Sequence, residues 1–298
     1  NWFFESSLGE LSDKKSEISK ALAKVQKDHA YEKNGAIWLE SSKFGDDKDR
    51  VIIREDGRGT YLSADLAYHR NKLDRGFDTI INVWGADHHG YIKRIEATIE
   101  AMGYSKKQMQ VQLVQFANLF EDGSKVKMST RSGNFYTLKK LIDDIGPDAS
   151  RFYYLSKQAD QHLDFDIGIA RSNSKDNLYY YIQYAHARIS SVEKKFLESG
   201  KTLPKKFNDA KFETCDELLQ IALNAQFIVK SSGESLQPHL IVYYLKDIAQ
   251  NFHQFYNNVN ILNADEEHKN NIMRTLIIVK SVIASSLDLL GIEPLESM

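Results

Sequence analysis

One stretch, DTIINVWGADHHGYIKRIEATIEAMGY at 78–104, limits the fold more than any other. Thr79 to Trp84 is a β-rich apolar run suited to a buried parallel strand. Ile92, Ile95, Ile99 and Met102 follow at helical spacing, and Gly103 stands where a helix C-cap glycine belongs. VQLVQFANLF at 111–120 reads as one further strand, running into the polar loop EDGSKVKMSTRSGN at 121–134. Strand, polar turn, helix and strand make a βαβ unit. Open α/β sheets bind ligands beyond the carboxyl ends of their strands. GADHHG and the 121–134 loop both fall at such ends, which predicts two polar loops on one sheet edge.

The rest of the pattern predicts α/β followed by all-α. Residues 10–28 read as an amphipathic helix with Leu11, Ile18, Leu22 and Val25 on one side. GAIWLESSKFGDDKDRVIIRED reads as short strands broken by an acidic turn, Asp46 to Asp49. A turn at Gly146–Pro147 precedes Asp148, the expected N-cap of a helix bearing Phe152 and Leu155. From about residue 173 onward the apolar spacing predicts four or five bundled helices. The expected division is 1–136, a partial Rossmann-like parallel sheet; 137–172, connecting helices; and 173–298, a helical domain.

Composition narrows the class. The chain has 298 residues, 42% apolar and 27% charged, so it is long enough for two globular cores. A net charge of −2 argues against a general nucleic-acid coat, though not against a local basic patch. A single cysteine, Cys215, forms no disulfide framework and suits a reducing cytoplasm. No apolar run reaches bilayer length, and the opening NWFFESSLGEL, which lacks an initiator Met, is expected to begin inside a longer protein.

Three clusters could carry chemistry. In the 121–134 loop, Lys125, Lys127 and Arg131 lie between Gly123 and Gly133. That is either a hydrated turn or a mobile cationic clamp for phosphate. In GADHHG, Gly85 lets backbone approach a ligand and Asp87 can accept from a ribose hydroxyl; of His88 and His89, only one can face a given site. Zinc held by His69, Asp87 and His88 matches no common spacing, so no metal site is expected. Tyr61, Asp65 and His69 are spaced by four and share a side if Ser63 begins a helix. A phenol beside a carboxylate suits a guanidinium; alternatively, Asp65 merely completes a first helical turn.

KMST at Lys127–Thr130 resembles the second signature loop of class I aminoacyl-tRNA synthetases. With TYLSADLAYH, VWGADHHGY, NFYTLKKLIDDIGPDASRFYYL, YYYIQYAHARI and LDLLGIEP in order, essentially the whole chain resembles the carboxyl-terminal part of a bacterial arginyl-tRNA synthetase. The resemblance implies ATP, Mg²⁺, L-arginine and tRNA(Arg) as reactants and a monomeric, cytoplasmic ligase that makes no use of a membrane. Tyr61, Asp65 and His88 would bind arginine; Gly85 and Asp87 would bind ATP; and Lys127 with Ser129 would act on its phosphates. Residues 173–298 would form the anticodon-binding domain, with Tyr181, Tyr184, Arg188 and Met298 against the anticodon loop. Stacking rings beside a cation are what unstacked RNA bases require. Three departures stand out: the His-x-Gly-His type signature is absent, Thr130 replaces the second signature lysine, and Leu178 stands where proline is common. An RNA-binding module without catalysis is the rival reading. A nucleotidyltransferase of the same fold would leave Tyr61 and Asp65 unexplained.

Overall fold

The computed structural model describes residues 2–121, 123–126, 136–208, 215–259, 261 and 264–298. Contacts divide the chain into two compact units, Asn1–Val114 and Gln115–Met298.

The first unit begins with helix α1 (Glu17–His29), followed by strands β1 (Ala30–Lys33), β2 (Ala36–Leu39) and β3 (Arg50–Ile53). The Ser16 hydroxyl accepts from Ser19 N at 3.0 Å and fixes the start of α1. The helix is therefore shorter than expected from residue 10, because Asp13 caps a separate turn by accepting from Lys15 N at 2.8 Å. β1 and β2 form an antiparallel hairpin whose turn residues, Asn34 and Gly35, have φ of 55° and 74°. An Asn-Gly pair is the residue choice that such a turn favours. β3 pairs with β2 across the predicted acidic turn, where Arg50 donates to both Asp46 carboxylate oxygens at 2.8 Å.

Helix α2 (Tyr61–Asp74) comes next. Thr60 caps it, and Thr60 N donates to Ser63 Oγ at 3.2 Å in a capping box. Ser63 is thus the third helical residue rather than the first. The βαβ unit then forms as expected from β4 (Ile80–Gly85), α3 (Ile92–Ala101) and β5 (Met109–Val114), with β4 and β5 parallel from Ile80↔Met109 to Gly85↔Val114. Gly103, at φ +82°, ends α3, and Tyr104 N donates to Ile99 O at 3.2 Å behind it. Leu22, Leu39, Ile52, Leu66, Ile95 and Ile99 are fully buried and form the core of this unit.

The predicted strand at 111–120 is two strands. β5 ends at Val114, Gln115 N donates to Ala159 O at 2.7 Å, and β6 (Ala117–Glu121) joins another sheet. There β6 runs parallel to β8 (Leu163–Asp166) and antiparallel to β7 (Ser124–Lys125). GADHHG and the 121–134 loop therefore follow strands of different sheets, which corrects the expectation of one shared edge.

Helices α4 (Leu138–Ile145), α5 (Pro147–Leu155) and α6 (Ile167–Arg171) flank this second sheet in sequence. α5 starts with Pro147 at its first position, after Gly146 at φ +85°. Asp148 is consequently inside the helix and does not cap it. Five further helices follow among the described residues: α7 (Leu178–Glu198), α8 (Asp216–Leu223), α9 (Ala225–Ser235), α10 (His239–Asn258) and α11 (Glu266–Leu289). Their shared core includes Ile182, Leu245, Phe252, Met273, Leu276 and Ile283. No described helix is long and apolar enough to cross a membrane.

Candidate functional site

The first unit carries a hollow of about 290 Å³ at the start of α2. Tyr61, Ala64, Asp65 and Tyr68 line it from α2, and Phe3, Glu5 and Leu8 close it from the amino-terminal segment. Phe3 stacks on Tyr68 with ring centroids 4.5 Å apart, while Tyr61 is 87% exposed at the mouth. Two carboxylates and three aromatic rings therefore meet, and among the described residues no cation lines the wall. That composition fits a flat, positively charged side chain, which can hydrogen-bond at its edge and stack on its face.

Asp65 is held in place by a neighbouring phenol. Tyr91 Oη donates to its Oδ2 at 2.6 Å. Burial raises the Asp65 pKa, the Tyr91 hydrogen bond and nearby Lys72 oppose that rise, and Glu5 adds to it. A bound cation would relieve both unfavourable contributions by favouring the ionised carboxylate. Tyr91 is in turn covered by the Arg94 guanidinium, 4.6 Å above its ring.

His69 does not share this side. Eight residues at 100° each leave it about 80° around the helix from Tyr61, and it is buried in the core. Its Nδ1–H donates to the Asp65 carbonyl at 2.8 Å, and its Nε2 accepts from Asn82 at 2.9 Å. Burial, aided by Lys72, lowers its pKa to about 4, so it is a neutral strut beneath Asp65. With both ring nitrogens engaged, it cannot take part in the zinc arrangement considered from sequence.

Gly85 is the last residue of β4, and Asp87 and His88 follow it on the short turn Ala86–Tyr91. Asp87 Oδ1 lies 3.1 Å from His88 Nδ1, and a Cβ on Gly85 would stand 2.6 Å from that same oxygen. The missing side chain lets the carboxylate fold back over the strand end. Asp87, His88 and His89 are all exposed, and none of them lines the hollow with Asp65. Lys127 and Ser129, with Thr130, Arg131 and Gly133, lie outside the described residues. Of that loop, Gly123 has φ +72°, and Lys125 pairs with Phe120 in the β6–β7 hairpin.

The second unit has its own concavity, of about 650 Å³. Asn177 begins α7 by accepting from Tyr180 N at 3.1 Å, while its amide donates to Ala170 O and Ser172 O. From that start, Tyr184 and Arg188 face the concavity together with Met298 and Tyr256. The Arg188 guanidinium lies between two rings, 4.9 Å from the centroid of Tyr184 and 4.1 Å from that of Tyr256. Lys195, Asn257 and Asn258 also line it, and among the described residues no acidic side chain does. Tyr181 does not line it; its ring packs on His253 at 4.5 Å, and Tyr184 stacks on the same imidazole at 5.5 Å. Three of the four residues expected to meet an anticodon loop thus come together.

Glu5, Phe3, Tyr68, Tyr91 and Tyr256 were not singled out from the sequence. Only FFE in the opening segment and YNN at the end of α10 hint at them, as aromatics next to polar groups.

Residues 4–164 match the family described as tRNA synthetases class I (R), catalytic domain, and residues 182–298 match the DALR anticodon binding domain. The arginine–tRNA ligase of Legionella pneumophila (strain Corby) is 41% identical over 304 residues, covering 100% of this chain and 51% of that protein. A Campylobacter jejuni structure described as an arginyl-tRNA synthetase superposes with a TM-score of 0.84 at 39% identity, covering 94% of this chain and 62% of that one. The Thermus thermophilus arginyl-tRNA synthetase gives 0.79 at 20% identity, covering 99% and 59%, a likeness of fold. The chain spans about half the length of the curated relatives it matches.

Proposed function

The chain belongs to the class I (R) tRNA synthetase family, and from that premise we propose that it serves an ATP-dependent ligase that joins arginine to tRNA(Arg). The observation that carries this reading is the hollow in which Glu5 and Asp65 meet Phe3, Tyr61 and Tyr68. An arginine side chain entering there offers its planar edge to the carboxylates and its face to the rings. Tyr91 already occupies one Asp65 oxygen, so the other is left to accept from the guanidinium.

In the proposed reaction, the arginine carboxylate attacks the α-phosphorus of ATP. A carboxylate–phosphorus bond forms, the bond to the bridging oxygen breaks, and its electron pair leaves with pyrophosphate. Asp87 would accept from the ribose, Gly85 would admit the nucleotide to the strand end, and His88 would position arginine beside it. Lys127 and Ser129 would bind the leaving phosphates, whose charge Mg²⁺ would also shield. A terminal ribose hydroxyl of the tRNA then attacks the arginyl carbonyl and releases AMP. At the other end of the tRNA, Tyr184, Arg188 and Met298 would receive unstacked anticodon bases, with Tyr181 supporting them through His253. We place residues 1–136 with the catalytic part, 137–172 with its connection and 173–298 with anticodon binding, in a monomeric cytoplasmic protein.

The full-length protein, given labelled arginine, ATP and tRNA(Arg), is expected to form alkali-labile arginyl-tRNA and AMP in equal amounts. Charging that does not depend on arginine, or no charging at all, would remove the proposal.

A further inference from the structure

We propose that Gln183 is a positioning residue that latches the segment Gly291–Met298 so that Met298 becomes a wall of the RNA-facing concavity. The positioning role rests on the anticodon reading above; the latch itself rests on geometry alone.

Gln183 is 0% exposed in the second turn of α7, where a bundle helix ordinarily presents an apolar side chain to the core. Burying an amide is unfavourable unless its donors and acceptor are satisfied. Here the amide is spent on the chain's own backbone. Nε2 donates to Glu293 O at 2.8 Å, and Oε1 accepts from Leu295 N at 2.9 Å. The residue between them, Pro294, has no N–H to strand. A side-chain amide thus grips alternate residues of an extended segment as a neighbouring strand would, independently of their side chains.

The grip is reinforced on both sides. His186, one turn further along α7 and 1% exposed, has Nδ1 at 2.8 Å from Leu295 O. Asp148, freed from capping α5, accepts from Glu293 N at 3.0 Å. Lys280 spans Glu193 and Glu296 at 3.0 Å each. Beyond these contacts, Ser297 and Met298 line the concavity together with Tyr184 and Arg188. One helix therefore supplies one wall directly and sets the other through Gln183.

Removing the amide leaves Glu293 O and Leu295 N without their partner, a loss that corresponds to about tenfold in an equilibrium constant. In the full-length protein, Gln183→Leu is expected to speed hydrogen exchange at the Leu295 amide about tenfold. It should also weaken binding of a tRNA(Arg) anticodon stem-loop about tenfold. In a Met298→Ala background, the same substitution should weaken RNA binding little further, because both changes remove one wall. Gln183→Asn, which keeps the amide but draws it back by one methylene, is the variant to use if leucine prevents folding. It should loosen Leu295 in the same direction. Unchanged exchange at Leu295 overturns the latch. A full additional loss of affinity in the Met298→Ala background overturns its positioning role. A wild-type protein that does not bind the stem-loop contradicts the anticodon reading, and exchange at Leu295 still decides the latch.

Discussion

Replacing Asp65 with alanine in the full-length protein is expected to raise the KM for arginine on the order of 100- to 1,000-fold, with the KM for ATP changing by less than about threefold. Truncating one partner of a desolvated, hydrogen-bonded charge pair costs about 2–5 kcal/mol, and each 1.4 kcal/mol is about tenfold. Asp65 fits that case, because it is largely shielded from solvent and Tyr91 is already committed to it at 2.6 Å. Glu5 remains in the variant hollow, which places the effect inside that range rather than beyond it. Steady-state kinetics with each substrate varied in turn decide the matter. Equal rises in both KM values would move Asp65 out of the specificity role.

Replacing Lys127 with alanine is expected to act on the other half of the chemistry. Negative charge gathers on the departing pyrophosphate, and one preorganised donor at such a position is worth on the order of 100- to 1,000-fold in kcat. Arginine affinity should be nearly unchanged, because the guanidinium is held elsewhere. A loss confined to kcat marks an interaction made only in the transition state. A variant with normal kcat and a raised KM for arginine would contradict the leaving-group role. Thr130 stands in place of the second signature lysine, and Lys125 and Arg131 are the further cations of the loop.

The βαβ unit is legible because the apolar period changes from that of a strand to that of a helix between Trp84 and Ile92, and Gly103 then punctuates it. The single strand expected at 111–120 fails for a physical reason. A continuous apolar run records burial, not partners, so it cannot show the chain leaving β4's sheet after Val114 to join β8's. Asn34–Gly35 is a strong local hairpin signal, and the β1–β2 turn forms on it. Asp148 was misassigned because Pro147 occupies the first helical position, and its true partner, Glu293 N, is 145 residues away. The site divides in the same way. Tyr61 and Asp65 are one helical turn apart and visible as a pair, whereas Glu5 and Tyr91 reach Asp65 only through tertiary folding. Tyr181 and Tyr184 both pack on His253, and no sequence pattern shows that of the two it is Tyr184 that faces the concavity.

The most direct measurement is a calorimetric titration of the full-length protein with arginine and, in parallel, with citrulline, which keeps the shape of the side chain and lacks its charge. Binding of arginine at least about 100-fold tighter is the expected result, because citrulline leaves the half-buried Asp65 carboxylate, and Glu5 on the same hollow, without a cation. Comparable affinities for the two ligands would mean that the Glu5–Asp65 hollow does not recognise a guanidinium.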